Sequence, residues 1–398
     1  MVTLEEQHST RGRAHMLFEL LQSEVVTDGW QDDHVKQTLD LCLSCKACKS
    51  ECPANVDMAT YRAEFMAQYY DRQRRPLHAY AFGMVDRWLR LGAVAPLLAN
   101  ASIQTPGLAH ILKRILHVAP ERRLPRLAHT SFHRWAVRHE VPSIRRRPSR
   151  AQRAEPTTRP RVILWVDTFN NYFHPETSRA ALEVLQSAGY AVAIPPGGLC
   201  CGRPLYEFGF LDRATAYLRS VLDVLGEVID DGVPFVVLEP GCASVFRDEL
   251  RNLFPNDDRA VRLSRHVFVL SEFLESGRLP YEPPQLAKRV LLHGHCHQKA
   301  LMTMGPEEAV LRKMGATLDA PDSGCCGMAG SFGFEVDKYQ ISQAIGERVL
   351  LPAVRSALPD TLIVADGFSC REQIEQATGR KAIHLAEVLK LALDLDED

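Results

Sequence analysis

Along residues 13–24, Met16, Leu17, Leu20 and Leu21 recur at helical spacing, and Val35 and Leu39 form a second apolar stripe that leads into Cys42. Helices are therefore expected to flank the cysteines that follow. Beyond them, Asp57 can cap a helix on which Tyr61, Phe65 and Tyr69 fall at i, i+4 and i+8 and share one face. That face is expected to pack against the shell of whatever the cysteines hold. Residues 76–140 keep helical patterning, with apolar faces supplied by Trp88, Leu89, Leu91, Leu97 and Leu98, but Pro96, Pro106, Pro120 and Pro125 interrupt it. From residue 161 the period changes. Short β-branched runs (Val162 to Val166, Ala191 to Ile194, Val233 to Leu238) alternate with amphipathic stretches such as Ser178 to Ala188, which implies an α/β unit. Val290 to Leu292, Ala309 to Met314 and Leu362 to Ala365 repeat that alternation.

A chain of 398 residues is too long for one core. Its 46% hydrophobic and 24% charged residues are ordinary for a soluble globular protein, so the eleven cysteines are the anomaly. They cluster, and Met1 to Arg13 is polar without the apolar core of a secretion signal, which favours a cytoplasmic, reducing compartment and metal binding over disulfides. The longest apolar run, Leu91 to Ala101, is broken by Pro96 and is too short to span a bilayer. Net charge is −2, yet residues 111–161 hold fourteen Lys/Arg against Glu121, Glu140 and Glu155, so that segment is +11 and the remainder −13. Such asymmetry suits peripheral contact with an anionic surface, such as the inner face of the cytoplasmic membrane, and equally a solvated linker. No nucleic-acid partner is expected.

Cys42, Cys45, Cys48 and Cys52, followed by Pro53, fit C-x2-C-x2-C-x3-C-P. Three thiolates at i, i+3 and i+6 on a curling backbone can each reach one iron of a 4Fe-4S cubane. A four-cysteine structural zinc site normally uses two separated pairs, which this run lacks. In two-cluster ferredoxins the fourth cysteine ligates the other cluster, and no second run of this kind occurs here. Either all four cysteines hold one cubane, or Cys52 joins a second cluster completed by an upstream run.

The remaining cysteines form two sets, Cys200-Cys201-Gly202 with Cys242, and Cys296 with Cys325-Cys326-Gly327 and Cys370. Cys325 and Cys326 follow Cys200 and Cys201 by 125 residues, and Cys370 follows Cys242 by 128. A tandem duplication explains these offsets and puts Thr168 where the second copy has Cys296. Adjacent thiolates can serve irons of one cluster, and glycine after the pair lets backbone approach an inorganic core. The plain alternative is that these are buried small hydrophobes. His293, His295 and His297 bracket Cys296 and are expected behind the ligands, donating hydrogen bonds to sulfur, with direct ligation as the alternative.

Together the run and the Cys-Cys-Gly motifs resemble the iron–sulfur portion of FAD-linked D-lactate, glycolate and related 2-hydroxyacid dehydrogenases. They are also similar to the iron–sulfur subunit of anaerobic glycerol-3-phosphate dehydrogenase and to the cysteine-rich subunit of heterodisulfide reductase. The resemblance runs from HSTRGRA at residues 8–14 to GFSC at Cys370. It implies an α+β protein: a helical 4Fe-4S ferredoxin-type domain (1–75), a helical connecting region (76–144), a basic Pro-rich linker (145–160), and cysteine-rich repeats at 161–280 and 281–398. Two departures stand out. Cys242 and Cys370 have no second cysteine three residues away, and Thr168 replaces a cysteine, so an additional cluster is expected in the second repeat rather than the first.

The implied function is an electron relay from a flavoprotein domain or subunit to a quinone or other acceptor, with no catalytic residue in this chain. FAD is expected elsewhere, because there is no G-x-G-x-x-G after a strand and the only adjacent glycines are Gly197-Gly198. The alternatives are a catalytic Cys-Cys-Gly cluster, as in heterodisulfide reductase, and a zinc-stabilised scaffold. In fused relatives a matching cysteine run lies just upstream, so this chain is expected to be part of a longer or split protein. An exposed apolar face on the helices before Cys42 should follow.

Overall fold

The computed structural model describes residues 2–144 and 158–397, so most of the expected basic linker (145–160) lies outside the described residues. Four helices surround the cysteine run: α1 (Thr10–Gln22), α2 (Asp33–Asp40), α3 (Ala47–Glu51) and α4 (Met58–Tyr69). Side-chain caps set three of their starts: Ser9 accepts from Gly12 N, Asp32 from Val35 N, and Asp57 from Thr60 N. Leu20, Val35, Leu39, Cys42, Phe65 and Tyr69 then close a small core. Tyr61 does not join it and is 47% exposed. Residues four apart drift by about 40° around a helix, so of three aromatics at this spacing the first slides off the face that the other two bury.

The connecting region is helical: α5 (Leu77–Gly83), α6 (Val85–Gly92), α7 (Pro96–Gln104), α8 (Pro106–Ile115) and α9 (Phe132–Arg138). Pro96 and Pro106 start helices rather than break them, since the first helical position has no N–H bond to lose. The apolar faces of α6 to α8 are only partly packed, and Trp88, Leu91, Leu97 and Leu98 are exposed.

Two four-stranded parallel sheets follow. The first has order β2-β1-β3-β4, from β1 (Arg161–Trp165), β2 (Ala191–Ala193), β3 (Phe235–Val237) and β4 (Val267–Val269). The second has order β6-β5-β7-β8, from β5 (Arg289–Leu292), β6 (Thr317–Asp319), β7 (Leu362–Val364) and β8 (Ala382–Ile383). Register is equivalent in the two sheets, with Ile163 opposite Phe235 and Leu291 opposite Ile363. Leu164 and Val236 of one sheet and Val290, Leu292 and Val364 of the other bury into one continuous core. Across the junction Phe169 stacks on Phe368 with ring centroids 4.5 Å apart, and Arg371 donates to Asn170 Oδ1 at 2.8 Å.

This topology locates the site. In each sheet the strand order reverses between the two central strands, and ligands of open parallel sheets bind outside the carboxyl ends at that point. Thr168 and Cys242 follow β1 and β3, while Cys296 and Cys370 follow β5 and β7.

Candidate metal centre

All eleven cysteines are free. In the second module the sulfurs form a chain of contacts from Cys296 through Cys325 and Cys326 to Cys370. One ring nitrogen of His293 lies within 4.8 Å of the Cys326 and Cys370 sulfurs. Its Nδ1 is 2.7 Å from Ser323 Oγ, and Nε2 is buried without a partner among the described residues. Burial, and then Lys299, lower the His293 pKa to about 3, so the imidazole is neutral. Gly327 N donates to Cys325 Sγ at 3.4 Å, and at φ +91° a Cβ there would meet Ser342 O at 2.1 Å. No other residue fits behind the cysteine pair.

The first module repeats the scaffold with fewer donors. Cys201 and Cys242 sulfurs lie 2.9 Å apart, and Thr168 Oγ1 donates to Cys200 Sγ at 3.4 Å, whereas in the second module it is the Cys296 thiol that meets Cys325. A further difference escaped the sequence reading. The 128-residue offset that pairs Thr168 with Cys296 also pairs Trp165 with His293, and Trp165 packs edge-on against Phe246 with centroids 4.8 Å apart. Trp165, Cys201 and Cys242 belong to one apolar cluster. A cavity of about 520 Å³ opens beside Cys200, lined by Arg87, Arg90 and Tyr217.

The N-terminal run curls through Ser44 and Lys46, both at positive φ (51° and 64°). Charge on Cys42 and Cys48 acts on Cys45, whose thiol is pushed up to about 12 by burial first and then by Cys296. Cys325 in turn feels Cys45. The run and the second module, far apart in sequence, thus pack together, with the helix Ala47–Glu51 against the helix Cys296–Leu301. Cys52 differs: its half-buried thiol is held low by the backbone N–H groups of Val56 and Ala54, whereas burial raises those of Cys45 and Cys48.

A buried ionic network locks this junction. Lys46 Nζ reaches Asp57 at 2.7 Å, Asp248 at 2.8 Å and Glu249 at 3.3 Å. Arg203, the residue after Cys200-Cys201-Gly202, donates to Glu249 at 2.6 Å and to Ser44 O at 2.9 Å. His297 Nε2 sits 2.8 Å from both Ser44 O and the Arg203 guanidinium, so His297 serves the loop of the run. His295 instead stays by Cys296, its Nδ1 4.0 Å from that sulfur and accepting from His297 N. The sequence signal for Lys46 and Arg203 was their position inside the two cysteine motifs.

The donor set fits iron–sulfur clusters. Contact with Cys325, and next burial, hold the Cys296 thiol far above its ordinary pKa, and the thiol of Cys201 and then burial do the same to Cys200. Such crowded buried sulfurs become thiolates only when a cation compensates them. The unpartnered His293 nitrogen beside two sulfurs points the same way.

A model of the cysteine-rich (CCG) domain family matches residues 167–247 and again 290–375. The chain is 26% identical over 359 residues to D-2-hydroxyglutarate dehydrogenase of Escherichia coli (strain K12), covering 89% of this chain and 34% of the relative. It therefore spans about a third of that protein's length. To one of the subunits of anaerobic glycerol-3-phosphate dehydrogenase of the same strain it is 28% identical over 331 residues, covering 81% of this chain and 79% of the relative. To the glycolate oxidase iron-sulfur subunit of that strain it is 24% identical over 400 residues, covering 98% and 89%.

Proposed function

From a chain that carries the cysteine-rich CCG domain twice and is related to the iron-sulfur subunit of glycolate oxidase, we infer an electron-relay protein serving a flavin-dependent 2-hydroxyacid dehydrogenase. The observation that carries the inference is that the cysteine run docks on the second module, its helix Ala47–Glu51 packing on the helix Cys296–Leu301 and Ser44 O lying 2.8 Å from His297 Nε2. Cys42, Cys45 and Cys48 would hold a 4Fe-4S cluster, and Cys296, Cys325, Cys326 and Cys370 a second. Bound clusters supply one-electron transfer, which amino-acid side chains of this kind do not. The chain's own residues bury the sulfurs, keep His293 neutral and direct Gly327 N–H at Cys325, the features that set a cluster's potential. The acceptor in this reading is a quinone or similar carrier, and FAD resides on the partner.

Two features support a complementary cysteine run on the partner or an adjoining segment. The Cys52 thiol is held low by backbone N–H groups where burial raises those of Cys45 and Cys48, and Phe18, Leu21 and Val25, before Cys42, are exposed. In the two-cluster pattern the fourth cysteine joins such a run, whose helices would cover this face.

The relay reading expects Cys45→Ser to lose the paramagnetic signal of the N-terminal cluster and to stop electron flow from a photoreduced flavoprotein to the second-module site. Transfer at the unaltered rate in that variant would overturn it.

A further inference from the structure

Helices α6 to α8 present an apolar ridge that no described residue covers. Leu91, Val94, Leu97, Leu98, Ile111 and Ile115 are each between 53% and 74% exposed. Helix α7 buries none of its residues, and α8 buries only Ala109. On α8, Leu108, Ile111 and Ile115 recur at spacings of three and four and so share one outward face. A soluble surface seldom gathers large apolar side chains this densely without an occupant.

Charge identifies the occupant. The chain holds 49 Asp/Glu, yet none lies between Arg87 and Pro120. On α8 and in the stretch that follows it, Arg114, Arg123, Arg126 and Arg138 are exposed without a carboxylate partner among the described residues, against two exposed carboxylates, Glu121 and Glu140. Residues 87–140 hold nine Lys/Arg against Glu121 and Glu140, and an apolar ridge bordered by such a basic excess matches anionic lipid headgroups above acyl chains. Trp88, 53% exposed on α6, adds the amphipathic ring that favours such a boundary. No helix among the described residues is long and apolar enough to cross a membrane, so the helices would lie in the interface plane.

We propose that α6 to α8 form a monotopic membrane-docking surface that seats this protein on an anionic bilayer. The surface differs from the one suggested by the basic stretch alone. Arg122 of that stretch is buried, donating to Gly333 O at 2.7 Å, and Lys113 donates to Pro120 O at 3.0 Å. Docking rests instead on the apolar ridge, with the free arginines as its rim. The proposal does not depend on the relay reading, because residues 87–120 contain no cysteine and the ridge would bind lipid whatever metal the protein carries.

The test is co-sedimentation of the purified full chain with phosphatidylcholine vesicles, with and without phosphatidylglycerol, at low and high salt. The chain binds the anionic vesicles at least about tenfold more tightly than the neutral ones at low salt, and salt narrows the gap. Leu97→Asp with Leu98→Asp lowers affinity for both vesicles by about tenfold or more, since acidic side chains cannot enter the acyl boundary. Arg114→Glu, Arg123→Glu and Arg126→Glu together remove only the preference for phosphatidylglycerol. Tryptophan quenching by brominated lipid, diminished in Trp88→Phe, reads the same contact with the leucines intact. Absence of binding to either vesicle, or unaltered binding by the Leu97/Leu98 variant, overturns the proposal. So does a lipid-free dimer that this variant dissociates, which would assign the ridge to a second copy.

Discussion

Replacing Cys325 or Cys326 by serine is expected to strip the cysteine-rich half of the chain of its iron, while the same change at Cys200 or Cys201 leaves the iron content near that of the unaltered protein. Both pairs sit at the same place on the same sheet topology, so scaffold does not distinguish them. Donors do. The second pair has Cys296 and a neutral His293 with an unpartnered nitrogen, where the first has Thr168 and Trp165. A hydroxyl and an indole are poor partners for iron beside thiolate, whose softness suits clusters. Losing even an outer partner of a metal site lowers affinity about 10- to 100-fold, so His293→Ala should fall in that range and a missing thiolate beyond it. Iron per chain after anaerobic desalting reads the result. Equal losses from the two pairs would mean that the first module has recruited another ligand.

The second large effect is expected at the ionic junction. Glu249 is fully buried and shared by Lys46 and Arg203, so Arg203→Met leaves a buried carboxylate with one cation in place of two. Breaking a buried pair from one side costs about 3–5 kcal/mol, mostly the penalty of the charge left behind. Arg203 also holds Ser44 O, so the loss should appear as faster amide exchange across residues 42–52. Adding Glu249→Leu should recover much of it, because Lys46 keeps Asp57 and Asp248. Arg259, exposed and 2.6 Å from exposed Asp230, is the control, and its replacement should change stability by less than about 1 kcal/mol. Equal behaviour of Arg203→Met and Arg259→Met would show that the junction does not hold the run in place.

What the sequence revealed, and what it did not, divides by range. The Asp57 cap and strands β1, β2, β3, β5 and β7 are local patterns, and they stand in the structure where the pattern put them. Strands β6 (Thr-Leu-Asp) and β8 (Ala-Ile) lack the apolar β-branched run that marks the others, and β4 (Val-Phe-Val) runs straight into the helix Leu270–Leu274, so none stands out as a strand. Lys46, Asp248, Glu249 and Arg203 meet only because the N-terminal helices dock on the first module, which no single segment encodes. The apolar residues of α6 to α8 were legible as faces, but periodicity states that a face exists and not what covers it. Tyr61 shows the same limit on a smaller scale.

The most direct measurement of the central claim is quantitation of iron, acid-labile sulfide and zinc in chain isolated without oxygen, with electron paramagnetic resonance after dithionite reduction. A relay protein expects iron and sulfide in near-equal amounts, little zinc, and a cubane signal that Cys45→Ser removes. Stoichiometric zinc without sulfide would contradict it, leaving the cysteines as the staples of a scaffold.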